Sequence, residues 1–470
     1  MKKYCSIVLL LLVGSVAPVG GYAATDGVPS LIMEQQTSEQ FIAALQQAIY
    51  NHPTFLAANA AVAQSSERVN IAKSGLRPQV AIESSGIKKI SNSKEDQFSF
   101  FGQNSGVEDR PDASLVISQL LFDFFTTEHE IKTQENTESA DQLARDQPVV
   151  KLALKMLTNW LDTASFALLK TMVADSVARH LEITEQIKVR VDSGRAPMRE
   201  YSRANARFAE ARAKQINIDL KHRGALAEFR QLMPNTQACE KMLTVTPENL
   251  VLDTELAIEE ALANNPGIQE SALRIKAAEE NLAKEQSKLG PRITLEVRGD
   301  KYNKEQFFTS EFPDYDFYAG INFNVDLYSG GRKKSQISVA FEQLNESRYR
   351  QAELVKIITA NTESLLTELN NAATRVQIFQ QAFLANAESR ENLRLQFVSA
   401  NVSLLELLQA ERDFLESSEN MVLTQRSVLL AEFTELALLG RLLNFIGNTE
   451  LGAVTNERYA TLVLGLSCQF

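Results

Sequence analysis

Twelve prolines and twenty glycines are few for a chain of 470 residues. Most of it must therefore run in long unbroken elements rather than in many short ones joined by turns. A cationic excess is missing as well: 48 Lys and Arg face 59 Asp and Glu, for a net charge of -11. That balance excludes a sequence-independent grip on nucleic acid, which needs surplus Lys and Arg to neutralise phosphates. Outside the N-terminus no uninterrupted apolar run reaches the roughly 20 residues of a membrane-spanning helix, so a polytopic helical membrane protein is excluded. A membrane β-barrel is not, because its alternating strands carry little net hydropathy.

Residues that carry chemistry are scarce. His52, His129, His180 and His222 stand far apart, with no His-Glu-x-x-His, Cys-x-x-Cys or Gly-x-Ser-x-Gly spacing, so no enzyme activity, metal site or cofactor is expected. Ser329-Gly330-Gly331-Arg332-Lys333-Lys334-Ser335 has the flavour of a phosphate loop, but its spacing departs from Gly-x4-Gly-Lys-Ser. A strand-to-helix corner with its basic residues at a membrane surface is the expectation there.

Three cysteines are present. Cys5 belongs to residues 1–24, where Lys2-Lys3, an apolar run from Ile7 to Val19 and Gly21-Tyr22-Ala23-Ala24 form the pattern of a cleaved secretory signal peptide. The mature chain is thus expected to be exported. Cys239 and Cys468 would then meet an oxidising compartment, either as a bridge or as two separate thiols.

The chain also repeats itself. Ala44-Leu45…Ala48…His52-Pro53 recurs as Ala257-Ile258…Ala261…Asn265-Pro266, and Leu76-Arg77-Pro78 as Leu289-Gly290-Pro291. Leu121-Phe122-Asp123-Phe124-Phe125 aligns with Leu327-Tyr328-Ser329-Gly330-Gly331, and Gly194-Arg195-Ala196-Pro197 with Ala400-Asn401-Val402-Ser403. The two halves are expected at 25–240 and 253–447, joined by a linker at 241–252 and followed by a tail at 448–470.

Each half opens with apolar positions at helical spacing, over about 38–76 and 253–289, with Ser38 and Asp253 as candidate N-caps and a proline at each end. The period then changes to two. Ile293, Leu295 and Val297 alternate with Thr294, Glu296 and Arg298, and Phe317, Ala319, Ile321, Phe323 and Val325 with polar or small neighbours. Val80 and Ile82 begin a similar pattern, while Leu115 to Leu121 alternates less cleanly. Two hairpins, at 79–122 and 292–327, supply four strands of roughly nine residues, the length of a tilted membrane strand, with loops at about 86–113 and 300–315. Four strands cannot close a barrel, so other copies must complete it.

From Thr126 to Asp192, and from Arg332 to about Ser399, the only glycine or proline is Pro148. Each stretch spans roughly 100 Å as helix. Val150, Leu154, Leu157, Leu161, Ala164 and Leu168 have the spacing of a coiled-coil seam, and Pro148 is expected to kink the first helix where its counterpart, Leu354, does not. A short turn follows each long helix, and a second helix returns to about Met233 or Leu443.

Asn265-Pro266 and its partner, Leu289-Gly290-Pro291, Asp326-Leu327-Tyr328-Ser329-Gly330-Gly331, Phe397…Ser403-Leu404-Leu405-Glu406-Leu407-Leu408-Gln409-Ala410-Glu411-Arg412 and Leu438-Leu439-Gly440-Arg441-Leu442-Leu443, in this order, resemble the TolC family of outer-membrane channel proteins. The resemblance covers nearly the whole mature chain. It implies a mainly α protein with a membrane β-barrel part: a homotrimer whose four strands per chain make a twelve-stranded barrel, continued by a long helical barrel through the periplasm. It implies a passive exit duct serving either type I protein secretion or small-molecule efflux. Its partners would be outer-membrane lipid, a periplasmic adaptor and an inner-membrane transporter, either ABC or proton-driven. A periplasmic coiled-coil scaffold without channel activity is the competing expectation.

The resemblance further implies that Gly194, Arg195, Ala196, Pro197, Ala400, Asn401, Val402, Ser403 and Leu404 form a periplasmic tip that docks the adaptor and opens. Ala400 stands where the family often has glycine, leaving Asn401 as the residue that tolerates a left-handed turn. Glu406 matches the first of two acidic residues that often face the family's channel axis, and Gln409 replaces the second. A gate of weaker charge, leaning towards protein secretion, is the expectation, against a plain solvated carboxylate in a first helical turn. Arg195, Arg199 and Arg203 beside Glu200 read as a solvated or docking face. Linker and tail pack together at the tunnel's equator in this family, which implies that Cys239 and Cys468 could be bridged.

Overall fold

The computed structural model describes residues 35–92, 105–234, 250–302, 315–398 and 402–447. Its elements run α1 (Gln35–Asn51), α2 (Pro53–Ser74), β1 (Gln79–Asn92), β2 (Ser105–Phe122), α3 (Thr126–Asp192) and α4 (Met198–Leu232). The same order then recurs as α5 (Thr254–Asn264), α6 (Pro266–Ser287), β3 (Arg292–Tyr302), β4 (Tyr315–Asn324), α7 (Arg332–Val398) and α8 (Leu404–Leu438), with a short α9 (Leu442–Phe445) after it. α3 and α7 are 67 residues each, as the lack of glycine and proline implies. α3 remains one helix through Pro148.

The opening segment of each half is two helices, not one. A residue before proline is pushed out of the helical region, and His52 and Asn265 are both extended. Each then caps the helix that follows: His52 Nδ1 accepts the Thr54 N–H at 3.2 Å, and Asn265 Oδ1 accepts that of Gly267 at 2.9 Å. Asp253 caps α5 as expected, accepting from Glu255 and Leu256. Ser38 lies inside α1 and so is not its cap.

The strands form one antiparallel sheet in the order β1-β2-β3-β4. They are longer than expected, 14, 18, 11 and 10 residues, because pairing in the first hairpin continues to Asn92↔Ser105. Ladder hydrogen bonds belong to the backbone and outlast the alternation of side chains, which marks only the stretch that must present an apolar face. A register shift between Leu120 and Phe122 leaves Leu121 without a partner on β3, a bulge at the end of β2.

Below the sheet the helices pack side by side. Nearer the sheet the order is α2-α3-α6-α7; farther away it is α4-α3-α8-α7, so α3 spans both tiers. Where the tiers meet, α1 and α9 plug the largest apolar cluster, which holds Phe41, Leu45, Ile49, Trp160, Phe229, Phe433 and Ile446. The Phe41 and Trp160 rings lie 4.4 Å apart. α3 buries Val149, Ala153, Met156, Trp160, Thr163 and Ala167, a seam one position off the expected one. Leu157, Leu161 and Ala164 are buried too, but Val150, Leu154 and Leu168 are only half-buried.

Candidate functional site

Two regions can do work: the sheet, and the turns at the far end of the helices. Directly paired strand residues share a face of the sheet. The register puts Ile82, Leu115, Gly299 and Phe317 in one row, Ile117, Val297 and Ala319 in the next, then Leu295 with Ile321, and Ile293 with Phe323. Apart from Gln119, which pairs with Leu295, these rows are apolar, yet Ile82 is 80% and Ile321 67% exposed. The opposite face is polar and knitted together. Arg298 pairs with Asp300 at 2.8 Å and Glu83 at 3.2 Å and donates to the Ser114 hydroxyl at 3.0 Å. Glu296 accepts from the Tyr318 hydroxyl and from Asn322. A sheet apolar on one side and hydrated on the other suits a wall between lipid and water.

At the lower rim of the sheet, Ser329 to Ser335 forms the expected corner, with Gly330 and Gly331 at φ +63° and +85°. Lys333 ties it down through Asp326 at 3.4 Å and the Lys288 carbonyl at 2.6 Å. The histidines are scattered in structure as in sequence. His129 pairs with Glu280 at 2.7 Å, and buried His180 bonds the Ser176 carbonyl at 2.8 Å.

The helical tip is built from two turns. In the first, Gly194 takes φ +72°; its N–H reaches the Val191 carbonyl at 2.9 Å and the Arg195 N–H the Arg190 carbonyl at 2.8 Å. This is a Schellman cap, which needs a left-handed residue at Gly194's position. Pro197 then takes the N-cap position of α4 in an extended conformation, without a side-chain bond to the helix. Arg195, Arg199 and Arg203 are exposed. In the second turn Ala400 and Asn401 lie outside the described residues, as do Cys239 and Cys468. Val402 is half-buried, Ser403 exposed and Leu404 buried.

Glu406 has a structural task. Its carboxylate accepts the Ser403 N–H at 3.2 Å, and the Ser403 hydroxyl accepts the Glu406 N–H at 3.3 Å, a reciprocal capping box that starts α8. Gln409 donates to Asp413 at 2.8 Å. Glu406, Gln409 and Asp413 line one groove between α7 and α8 with Asn386, Ser389 and Leu393, about 570 Å³ in volume. Asp413 therefore supplies a second carboxylate one turn beyond Gln409, which sequence reading passed over; its signal was the spacing of seven from Glu406 and four from Gln409. The two turns are stitched by Arg190, whose guanidinium sits 4.6 Å over the Phe397 ring and donates to the Phe397 carbonyl at 3.3 Å.

This architecture has relatives. The chain is 21% identical over 407 residues to the outer membrane efflux protein BepC of Brucella suis, covering 86% of each. It is also 21% identical over 424 residues to the outer membrane protein TolC of Salmonella enteritidis, covering 86% of this chain and 82% of that one. Its fold matches the crystal structure of the Campylobacter jejuni CmeC outer membrane channel with a TM-score of 0.73, at 12% identity over 96% of this chain and 98% of that one. The model of the outer membrane efflux protein family matches residues 44–234 and 257–441, one stretch in each half. With both halves matched, the chain belongs to the outer membrane efflux protein family.

Proposed function

We propose that three copies of this chain close into a channel across the outer membrane of a Gram-negative cell, the exit duct through which an inner-membrane transporter and a periplasmic adaptor expel substrate. The observation that carries this reading is that every layer of the chain ends in an open edge. β1 and β4 have no second neighbour among the described strands, and in lipid their unpaired N–H and C=O groups would cost several kcal/mol each. Among the described residues the helical layer likewise ends in α7 on one side and in α2 and α4 on the other.

The edges match in height. Met198 and Ile216 are exposed on α4, eighteen residues and so about five turns apart on one face. Leu395 and Ile378 are exposed on α7, three and twenty residues before its end at Val398. Two unlike edges that meet head to tail generate a ring when the rotation closes. The expected test is a cross-link between Ile216→Cys and Ile378→Cys that joins separate copies up to a closed trimer; a protein that stays monomeric in the membrane fraction refutes the reading.

The paired turns, Gly194 to Pro197 and Ala400 to Leu404, are the candidate docking tip, and Glu406, Gln409 and Asp413 the candidate gate. Because Asp413 restores a second carboxylate, weak charge no longer favours secretion over efflux. Cross-linking in cells from Asn401→Cys decides between an ABC transporter and a proton-driven pump by what is captured with the adaptor.

A further inference from the structure

The two strand-to-helix corners of the chain share one backbone conformation and carry opposite chemistry. After β4, Gly330 and Gly331 take φ +63° and +85°; after β2 the matching residues are Phe124 and Phe125, at φ +56° and +65°. The left-handed region is strained for a bulky side chain, and here it is held twice in succession. Asp123 fixes the pair: its carboxylate accepts the Thr127 N–H at 2.9 Å and its carbonyl the Thr126 N–H at 3.2 Å. Strain of this kind gathers at functional positions.

Burial does not offset it. Phe122, Phe124 and Phe125 cluster with ring centroids 5.8 to 6.4 Å apart, yet all three remain exposed. The cluster continues the apolar face of the sheet, because Phe122 stands opposite Ile293 and Ile293 opposite Phe323. At the second corner Leu327 is 93% and Tyr328 89% exposed.

Both corners close on the same loop, between α6 and β3. Gly290 leaves the space that the Phe124 ring fills, since any Cβ there would collide with it, and Lys333 bonds the Lys288 carbonyl at 2.6 Å. Lys333 is thereby occupied, by Asp326 as well, and Lys288 reaches Glu285 at 2.6 Å. Arg332 and Lys334, on either side of Lys333, are exposed and have no ion pair among the described residues, in a first helical turn that contains no acid. Cations there oppose the dipole of α7. The junction thus presents uncompensated positive charge beside an exposed aromatic platform.

We propose that the α6–β3 junction of each copy holds an anionic phospholipid of the periplasmic leaflet, with its phosphate on Arg332 and Lys334 and its acyl chains over Phe122, Phe124 and Phe125. This rests on the reading that the sheet spans the outer membrane, which sets its helical rim at the inner surface of that membrane. Apolar contact and headgroup charge add in such binding, and a phospholipid supplies both where a soluble anion supplies one. The left-handed pair then presents two rings at a corner where glycine would present none.

The test reconstitutes the full-length protein, extracted from outer membranes, in vesicles of phosphatidylethanolamine with a minor fraction of phosphatidylglycerol. Electron spin resonance reads how much of each spin-labelled lipid the protein immobilises. Phosphatidylglycerol should be favoured about fivefold over phosphatidylethanolamine, and Arg332→Gln with Lys334→Gln should bring the ratio to about one. Phe124→Gly with Phe125→Gly, which copies the second corner and relieves the strain, should also lower the preference while assembly is kept. Equal immobilisation of the two lipids by inserted wild type overturns the site, as does a preference that survives either double variant. If millimolar glycerol phosphate abolishes the preference, the ligand is a soluble anion and the lipid is overturned. Protein that fails to insert at all refutes the membrane-spanning sheet itself.

Discussion

The Glu435 carboxylate accepts the backbone N–H of Val251 at 2.7 Å, tying the end of the linker between the halves to α8. It does so from a buried position, and burial pushes its pKa up to about 7. Glu432, one turn earlier, is also pushed up to about 7, by burial and then by Glu435.

These two groups give the protein a pH-dependent stability. Their folded pKa lies above the unfolded value of 4.5, so their contribution is complete below about pH 4.5 and is lost as pH rises through about 7. Thermal unfolding should show a midpoint that falls between pH 5 and 8. Glu432→Gln should flatten that slope and stabilise the protein at pH 8 by roughly 1–3 kcal/mol; an unchanged slope would show that the carboxylates ionise freely.

The exposed apolar face of the sheet predicts that Ile321→Arg blocks membrane assembly. Arginine on a lipid-facing strand costs about 2–4 kcal/mol near the bilayer midplane, repeated in every copy. Heat-modifiable trimers should vanish from the outer-membrane fraction, and normal trimers would mean that this face does not meet lipid.

Gly194 sits where an L-residue is strained, with nothing within 4 Å of the position a Cβ would take. Gly194→Val should therefore cost roughly 1–2 kcal/mol through backbone strain alone, and Gly194→Asn much less. Limited proteolysis should detect loosening of the turn in the first variant only; equal sensitivity would point to a steric cause.

Cys239 follows Pro234 by five residues, and Met233 belongs to the same apolar cluster as Ile446, near the start of the tail that carries Cys468. Both cysteines lie outside the described residues; if linker and tail meet as the family resemblance implies, the two thiols are bridged and protein from the periplasm resists maleimide until it is reduced. Ready labelling of both thiols without reductant would exclude the bridge.

Much of this fold is legible because its signals are periodic. Ile293 to Arg298 and Phe317 to Phe323 show period two in the bare sequence, and the 67-residue helices follow from missing glycine and proline. The α3 seam was displaced by one position because a helix with neighbours on several sides buries more than one stripe, so a heptad drawn through Val150 and Leu154 competes with one through Val149 and Ala153. The burial of Glu411 was hidden for a different reason. Charged residues are almost never fully buried unless paired, and nothing local to α7 or α8 says that Glu411 is 1% exposed or that Arg390 stacks on Phe414. At the tip, Glu406 could be named from spacing, but its bond to the Ser403 backbone could not.

The middle of the sheet joins β2 to β3, so Gln119 lies opposite Leu295 although 176 positions separate them along the chain. The α3/α4 and α7/α8 hairpins, by contrast, are local and can form as soon as they are made. Contacts so distant in sequence are slow to form, because loop-closure entropy is lost before any pairing compensates it. The rods of this protein should thus mature before its wall: newly made chains should reach helical content early and complete β2–β3 pairing last, leaving a late, strand-exposed species as the form most prone to aggregate.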